Sequence, residues 1–279
     1  MKLQISLVVS TYGRYREVEL LLESLDRQDC EKTVYEVIIV DQNDKIDLAP
    51  LVTAFKEKLQ IVYYKTSEKG LSKAKNKGIE LARGAIITFP DDDCMFYPDT
   101  ITSALTFFEK NPHVDIMYGS VYDRKTNKGI MRNWSKSELQ LNLFNFSLNY
   151  SAISCFTRIR MKFNEDFGVG SKIACGEELD YAIRSIRMKY VVIYSPNTQV
   201  WHPELNVMTM DKKKAFSYAY GYGAIMRKNL NLTLLIIFLS SMGYQIVRFV
   251  LYFFTDNRLK FLNAINGRFR GFFGLPQSS

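Results

Sequence analysis

Through the first third of the chain, short apolar runs alternate with segments whose apolar residues return every three or four positions. The run ISLVVS at 5–10 is followed by REVELLLESLDRQ, in which Val18, Leu21, Leu22 and Leu25 fall on one helical face. A β-branched run, VIIV, then stops at Asp41. The alternation continues with LAPLVTAFKEKL as a helix, QIVYYKT as a strand, LSKAKNKGIELAR as a helix and AIITFPDDD as a strand. This spacing predicts an α/β fold with a mostly parallel sheet and helices on both faces. Ligands gather at the carboxyl ends of the strands in such sheets, where Ser10, Asp41 and Asp91 to Asp93 all fall.

Beyond about residue 110 the pattern loosens into a strand near VDIMYGSVYD, the polar RKTNKGIMRNWSKSE and a strand in NYSAISCFTR. The Gly-rich EDFGVGSKIACGEELD, a helix in LDYAIRSIRMK and a strand in YVVIYSP follow. Residues 1–204 read as one catalytic domain, with 1–110 as a ligand-binding half and 111–204 as the half that faces an acceptor. The start, MKLQISLVVSTYGR, reads as a first strand and lacks the h-region of a secretory signal. Residues 205–279 differ in kind. Their segment Leu230 to Phe254 is long enough to cross a bilayer, but Asn231, Gln245 and Arg248 interrupt it.

Charge changes the picture of this tail. Of 37 Lys or Arg and 29 Asp or Glu, ten and two lie from Leu205 onward, so the whole excess of +8 is C-terminal. Basic residues at both ends of the apolar segment favour a helix in the membrane interface, or a re-entrant hairpin, over a single span. The same residues do not interleave with exposed aromatics, which speaks against nucleic acid as the partner. Cys30, Cys94, Cys155 and Cys175 are scattered and suggest neither a disulfide framework nor a thiolate zinc site, which fits a reducing compartment.

The chemistry centres on Asp91, Asp92 and Asp93. Three adjacent carboxylates at the end of a buried strand repel one another where screening is poor, so a cation is expected there. Mg²⁺ and Mn²⁺ prefer oxygen ligands and commonly share their sphere with a substrate diphosphate, whose arrival with the metal is expected to offset the repulsion. His202, one of two histidines, sits in VWHPE, and imidazole also suits such an ion. His113 reads as structural. Asp99 reads as the cap of a helix that begins at Thr100.

The ordered set ISLVVSTYGR, VIIVDQND, KGLSKAKNKGIELARGAIITFPDDD, GEELDYAIR and VWHPE resembles the family 2 glycosyltransferases over roughly residues 3–204. The resemblance implies an inverting enzyme with a Rossmann-like GT-A fold and a nucleotide-sugar donor, to which residues 205–279 add a membrane-associating helical tail. It implies Asp93 as a ligand of Mn²⁺ or Mg²⁺, Asp91 at the metal or the ribose, Asp92 at the motif's variable position on the donor side, and His202 as a third ligand. Ser10, Thr11, Tyr12 and Arg14 match the segment that contacts the nucleobase, and Asp41 the acid that bonds a uracil ring. Lys75 stands where the family's Ala-Arg-Asn-x-Gly pattern has arginine, keeping charge toward the diphosphate without the bidentate fork. Glu178 matches the general base, more often Asp in the family, and Glu177 its supporting acid. The donor so implied is a UDP-hexose and the acceptor a lipid-linked (polyprenyl-diphosphate) saccharide in capsule, exopolysaccharide or O-antigen assembly. The expected location is the cytoplasmic face of the membrane, peripheral or monotopic. A nucleotide-sugar-binding protein without transfer, and a dTDP-rhamnose-dependent rhamnosyltransferase, stay open as alternatives.

Overall fold

The computed structural model describes residues 3–203, 212–255 and 258–277. The chain divides into two compact units, one of residues 1–163 with 185–205 and one of residues 164–184 with 206–279. The domain boundary expected at 204–205 lies outside the described residues. The Gly-rich segment 164–184, read from sequence as part of the first domain, groups with the C-terminal helices.

The first half of the first unit follows the apolar pattern: β1 (Ile5–Thr11), α1 (Arg16–Asp26), β2 (Tyr35–Asp41), α2 (Ala49–Lys56), β3 (Ile61–Lys65), α3 (Leu71–Leu81) and β4 (Ile86–Thr88). The strands lie in the order β3-β2-β1-β4, all parallel. All seven residues of β2 are buried, as a strand covered on both faces requires. The apolar stripe of α1, Val18, Leu21, Leu22 and Leu25, joins Leu7, Val9, Val37 and Ile39 in one core.

The second half adds β5 (Met95–Phe96), α4 (Thr100–Lys110), β6 (Ile116–Asp123), β7 (Lys128–Gly129), β8 (Leu139–Gln140), β9 (Cys155–Thr157) and β10 (Val192–Trp201). Here the sheet is mixed. It continues β4-β9-β6-β10-β5, with β9 antiparallel to both neighbours, β10 parallel to β6 and β5 antiparallel to β10. The segment after β9 ties down two helix ends whose last carbonyls would otherwise lack donors. Arg158 donates to the carbonyls of Phe108, Pro112 and Val114 at 2.7 to 3.1 Å, at the end of α4. Arg160 donates to those of Ile79, Ala82 and Gly84 at 2.8 to 3.2 Å, at the end of α3. Asn76 of α3 then clamps the Phe163 backbone from both sides, donating to its carbonyl at 3.0 Å and accepting from its N–H at 2.7 Å.

In the second unit, α5 opens at Glu177 and runs Glu177–Arg187, its last turn belonging to the first unit. Three further helices follow, α6 (Lys212–Lys228), α7 (Leu232–Leu251) and α8 (Arg258–Phe273). Asn231 caps α7 by accepting from the Leu234 N–H at 2.8 Å. The aromatic contacts of Phe238 with Phe272, centroids 4.1 Å apart, and of Tyr252 with Phe261, 5.3 Å, set α8 antiparallel beside α7. By length and composition α7 is the one described helix able to cross a membrane.

The approach of α3 to β1 depends on Gly78, where a Cβ would lie 2.1 Å from Val8 Cγ1. Gly78→Ala is expected to destabilise the fold by about 1 to 3 kcal/mol through overpacking, read as a lower urea midpoint with an unchanged slope.

Candidate active site

The parallel register brings the expected residues to one edge of the sheet. Thr11 pairs with Asp41, Asp41 with Lys65, and Ser10 forms an isolated bridge with Asp91 beyond the end of β4. A turn closed by the Cys94 N–H on the Asp91 carbonyl at 3.2 Å then carries the three aspartates. The chain continues into β5, whose antiparallel partner is β10 with Trp201 opposite Met95. That register delivers His202, the residue after β10, to Asp93, with Nε2 3.3 Å from Oδ1. One ligand atom each from Asp91, Asp93 and His202 lie within 4.8 Å of one another.

The carboxylates are already partly neutralised. Arg14 pairs with Asp92 Oδ1 at 3.0 Å and with Asp93 Oδ2. The expectation that only metal and diphosphate offset their repulsion is therefore corrected: the Arg14 guanidinium does part of it. The two neighbouring acids diverge as a result. Burial pushes Asp92 up to about 6 despite Arg14. Burial acts on Asp93 too, but hydrogen bonds from His202 and Arg14 outweigh it and hold Asp93 down at about 2. His202 is buried, which would lower it, yet the Asp93 contact raises it. Its Nδ1 lies 2.7 Å from the Pro203 carbonyl, a second partner that fixes the ring. Two carboxylate oxygens and one imidazole nitrogen form a donor set suited to Mn²⁺ or Mg²⁺. The buried Ser10 Oγ without a protein partner beside it leaves a polar group free for a ligand.

The other expected residues are placed as follows. Tyr12 is exposed, with Lys69 Nζ 4.4 Å from its ring centre. Lys75 lies on α3 with little exposure, its ammonium 5.1 Å from the Phe163 ring centre. Asp41 is wholly buried and accepts four hydrogen bonds, from Tyr63 at 2.6 Å, from Lys65 at 2.8 Å, and from the backbone and side-chain amides of Asn43 at 2.7 Å each. Asn43, absent from the sequence expectations, in turn accepts from the Gly13 N–H and so links the ends of β1 and β2. Only its position two residues after the strand-ending acid could have pointed to it. Asp99 precedes α4 as expected but sends its side chain to Arg124 at 2.8 Å rather than to the helix N–H groups. Glu177 and Glu178 open α5 in the second unit, where Glu177 is buried. Their neighbour Asp180 is fixed by Arg184 at 2.7 Å and Asn229 at 2.9 Å.

A parallel-then-mixed sheet with an Asp-x-Asp turn at its strand ends is the GT-A arrangement of glycosyltransferases. The chain matches the family described as Glycosyl transferase family 2 over residues 6–168 and belongs to it. An uncharacterized glycosyltransferase of Haemophilus influenzae is 30% identical over 125 residues, which is 45% of this chain and 41% of the relative. The poly(ribitol-phosphate) beta-N-acetylglucosaminyltransferase TarS of Staphylococcus aureus is 28% identical over 117 residues, 41% of this chain and 20% of TarS. The chain thus aligns with well under two thirds of either relative. Among solved structures, S. aureus TarS 1-349 has a TM-score of 0.65 at 13% identity, covering 99% of this chain and 93% of that one. The mannosyltransferase PcManGT from Pyrobaculum calidifontis, in complex with GDP-Man and Mn²⁺, has a TM-score of 0.64 at 13% identity, covering 98% and 88%. At such identities the likeness is one of fold.

Burial alone would raise the Asp41 carboxyl, but its bonds from Lys65, Tyr63 and Asn43 prevail and hold it below the ordinary value. It therefore stabilises the fold above the unfolded carboxyl value of about 3.9 and loses that contribution as pH falls through its lower folded value. Asp41→Asn is expected to reduce the unfolding free energy at neutral pH by about 1 to 3 kcal/mol. It should also flatten the decline in stability below about pH 4, as read from urea titrations across the acid range.

Proposed function

We propose that the protein is an inverting glycosyltransferase that moves a sugar, most simply a hexose from a UDP donor, to a hydroxyl of a lipid-linked saccharide during cell-surface polysaccharide synthesis. The observation that carries this reading is the convergence of Asp91, Asp93 and His202 at the carboxyl ends of a GT-A sheet. The TarS 1-349 structure solved with UDP-GlcNAc supports a uridine donor, and the TarS name, a poly(ribitol-phosphate) beta-N-acetylglucosaminyltransferase, supports a polymer as acceptor.

Asp91, Asp93 and His202 would hold a divalent ion, Mn²⁺ or Mg²⁺. When bound, it supplies Lewis-acid stabilisation of the charge on the departing nucleoside diphosphate. Arg14 keeps Asp93 turned so that Oδ1 faces His202. Ser10, Thr11 and Tyr12 contact the nucleotide from the end of β1, Asp41 and Asn43 fix the shape of that edge, and Lys75 adds positive charge from α3. Glu178, at the start of α5, takes the proton of the acceptor hydroxyl as its oxygen bonds to the anomeric carbon and the bond to the nucleoside diphosphate breaks. Glu177 supports it. The nucleophile enters opposite the leaving group, so the anomeric configuration inverts.

The acceptor side of the proposal rests on the C-terminal helices. An apolar, largely exposed α7 among basic residues suits a peripheral or monotopic protein on the cytoplasmic face of the membrane, where a polyprenyl-diphosphate acceptor is found.

Glu178→Gln is expected to retain Mn²⁺-dependent UDP binding while transfer falls about 10² to 10⁴-fold. Asp93→Ala should instead weaken that binding itself, by about tenfold or more. Calorimetry with UDP and product analysis by NMR across a panel of nucleotide sugars separate the two. Normal turnover in Glu178→Gln removes it from the base role, and UDP binding indifferent to Mn²⁺ and to Asp93 removes the metal site.

A further inference from the structure

α7 carries an extensive apolar stripe on its exposed side, while its buried side holds Leu234, Phe238 and Gln245. Its inward side carries Ser241, Gln245 and Arg248: Ser241 Oγ accepts from Arg268 Nε at 3.1 Å, Gln245 is buried, and the Arg248 guanidinium lies 4.4 Å from the Phe261 ring centre. Its outward side carries Leu232, Ile236, Leu239, Val247, Val250 and Leu251, each at least 48% exposed. The outward positions of α8 are likewise Leu259, Leu262, Phe269 and Phe273, while Phe261 is buried. A helix packed on a soluble core turns a polar face outward, so exposed apolar stripes of this extent mark contact with an apolar medium.

The inward side holds a second oddity. Arg268 donates to Ser241 and to the Ala264 carbonyl at 3.1 Å and stacks 5.1 Å from the Tyr222 ring centre, while Arg248 lies over Phe261 and Tyr244. Among the described residues neither guanidinium meets a carboxylate: Asp166 and Asp180 of the same unit pair with Lys228 and Arg184. Residues 212–279 contain ten Lys or Arg and one acid, Asp256. Burial, aided by the nearby charge of Arg248, presses the Arg268 guanidinium below its ordinary value. Two arginines that repel each other in a partly buried seam, neither meeting a carboxylate among the described residues, suit an anion from outside. The planar guanidinium fork fits phosphate oxygens in pairs.

We propose that Arg248 and Arg268 seat the phosphate group of an anionic membrane lipid, with the outward stripes of α7 and α8 lying against the bilayer interface. The site rests on the membrane-contact reading above and adds to it a specific phosphate seat. Under this proposal the hairpin lies along the membrane: α8 runs antiparallel beside α7 and carries Arg258, Lys260, Arg268 and Arg270, charges that are costly in hydrocarbon.

Flotation of the full chain with vesicles of phosphatidylcholine, alone or with phosphatidylglycerol, tests this. The parent protein should bind both, the anionic vesicles about tenfold or more tightly. Arg248→Gln with Arg268→Gln should keep the neutral binding and lose the anionic preference, whereas Lys213→Gln with Lys214→Gln should keep most of it. Leu239→Glu with Val247→Glu should lose binding to both. If circular dichroism shows that the glutamine pair does not fold, Arg248→Lys with Arg268→Lys decides, since it preserves charge and drops the fork: a clearly reduced preference supports the seat, and an unchanged one overturns it. Retention of the preference by a folded glutamine pair overturns it as well. Equal binding of the parent to both vesicles leaves membrane contact standing and removes the phosphate seat; binding to neither removes both. Inorganic phosphate that abolishes the preference where chloride of equal ionic strength does not would assign the seat to free phosphate and overturn the lipid assignment.

Discussion

Three carboxylates held at the end of one short strand are the constraint around which the first unit is arranged. Their charges are too close to be left to solvent alone, and each answering group comes from a different part of the chain. Arg14 arrives from the loop after β1 and His202 from the end of β10, almost two hundred residues apart in sequence. Only a sheet that sets β1 beside β4 and also returns β10 against β5 can bring both to the same turn. The order of the strands is thus inseparable from the electrostatics of the site. Asp92 and Asp93, adjacent and chemically identical, are pushed in opposite directions: burial prevails at Asp92, while at Asp93 the bonds to His202 and Arg14 together outweigh it.

Much of this was legible in the residues. The apolar periodicity located the first three strands and helices, since parallel strands buried on both faces read as continuous β-branched runs and α1 keeps a clean stripe. The Asp-Asp-Asp turn was conspicuous because its cost demanded an explanation. The sequence suggested a metal ion but did not show that Arg14 also answers it, because a salt bridge such as Arg14 to Asp93 depends on register and rotamer, which no local spacing encodes. Asn43 was hidden for the same reason: its role is to bridge two strand ends that are thirty residues apart. The Ala-Lys-Asn-Lys-Gly stretch was recognised by likeness, and its physics emerged only in three dimensions. Asn76 grips the backbone of Phe163, and Gly78 makes room for Val8.

The second unit is built on a different plan. In the first, polar atoms sit at strand ends and apolar ones inside; across α7 and α8 apolar side chains such as Leu239 and Val250 are exposed, while Gln245 is buried along with Leu234 and Phe238. The sequence signalled this through an apolar run broken by Asn231, Gln245 and Arg248, but not the direction in which those residues point. Asn231 turns out to be a helix cap, and the other two face inward. The interruptions are therefore part of the seam that holds the hairpin together.

The arginines after β9 bear on how the chain reaches this state. The parallel half is complete in sequence once α4 has been made, yet β4 still lacks its neighbour on one side, and α3 and α4 still end in carbonyls without donors. Residues 155 to 160 supply all three at once. A nascent chain emerging in order from the ribosome would therefore carry an unfinished parallel half until the middle of the sequence had been made. The two halves should consequently fold as a single cooperative body, and cutting the gene between them should yield two fragments neither of which is stable alone.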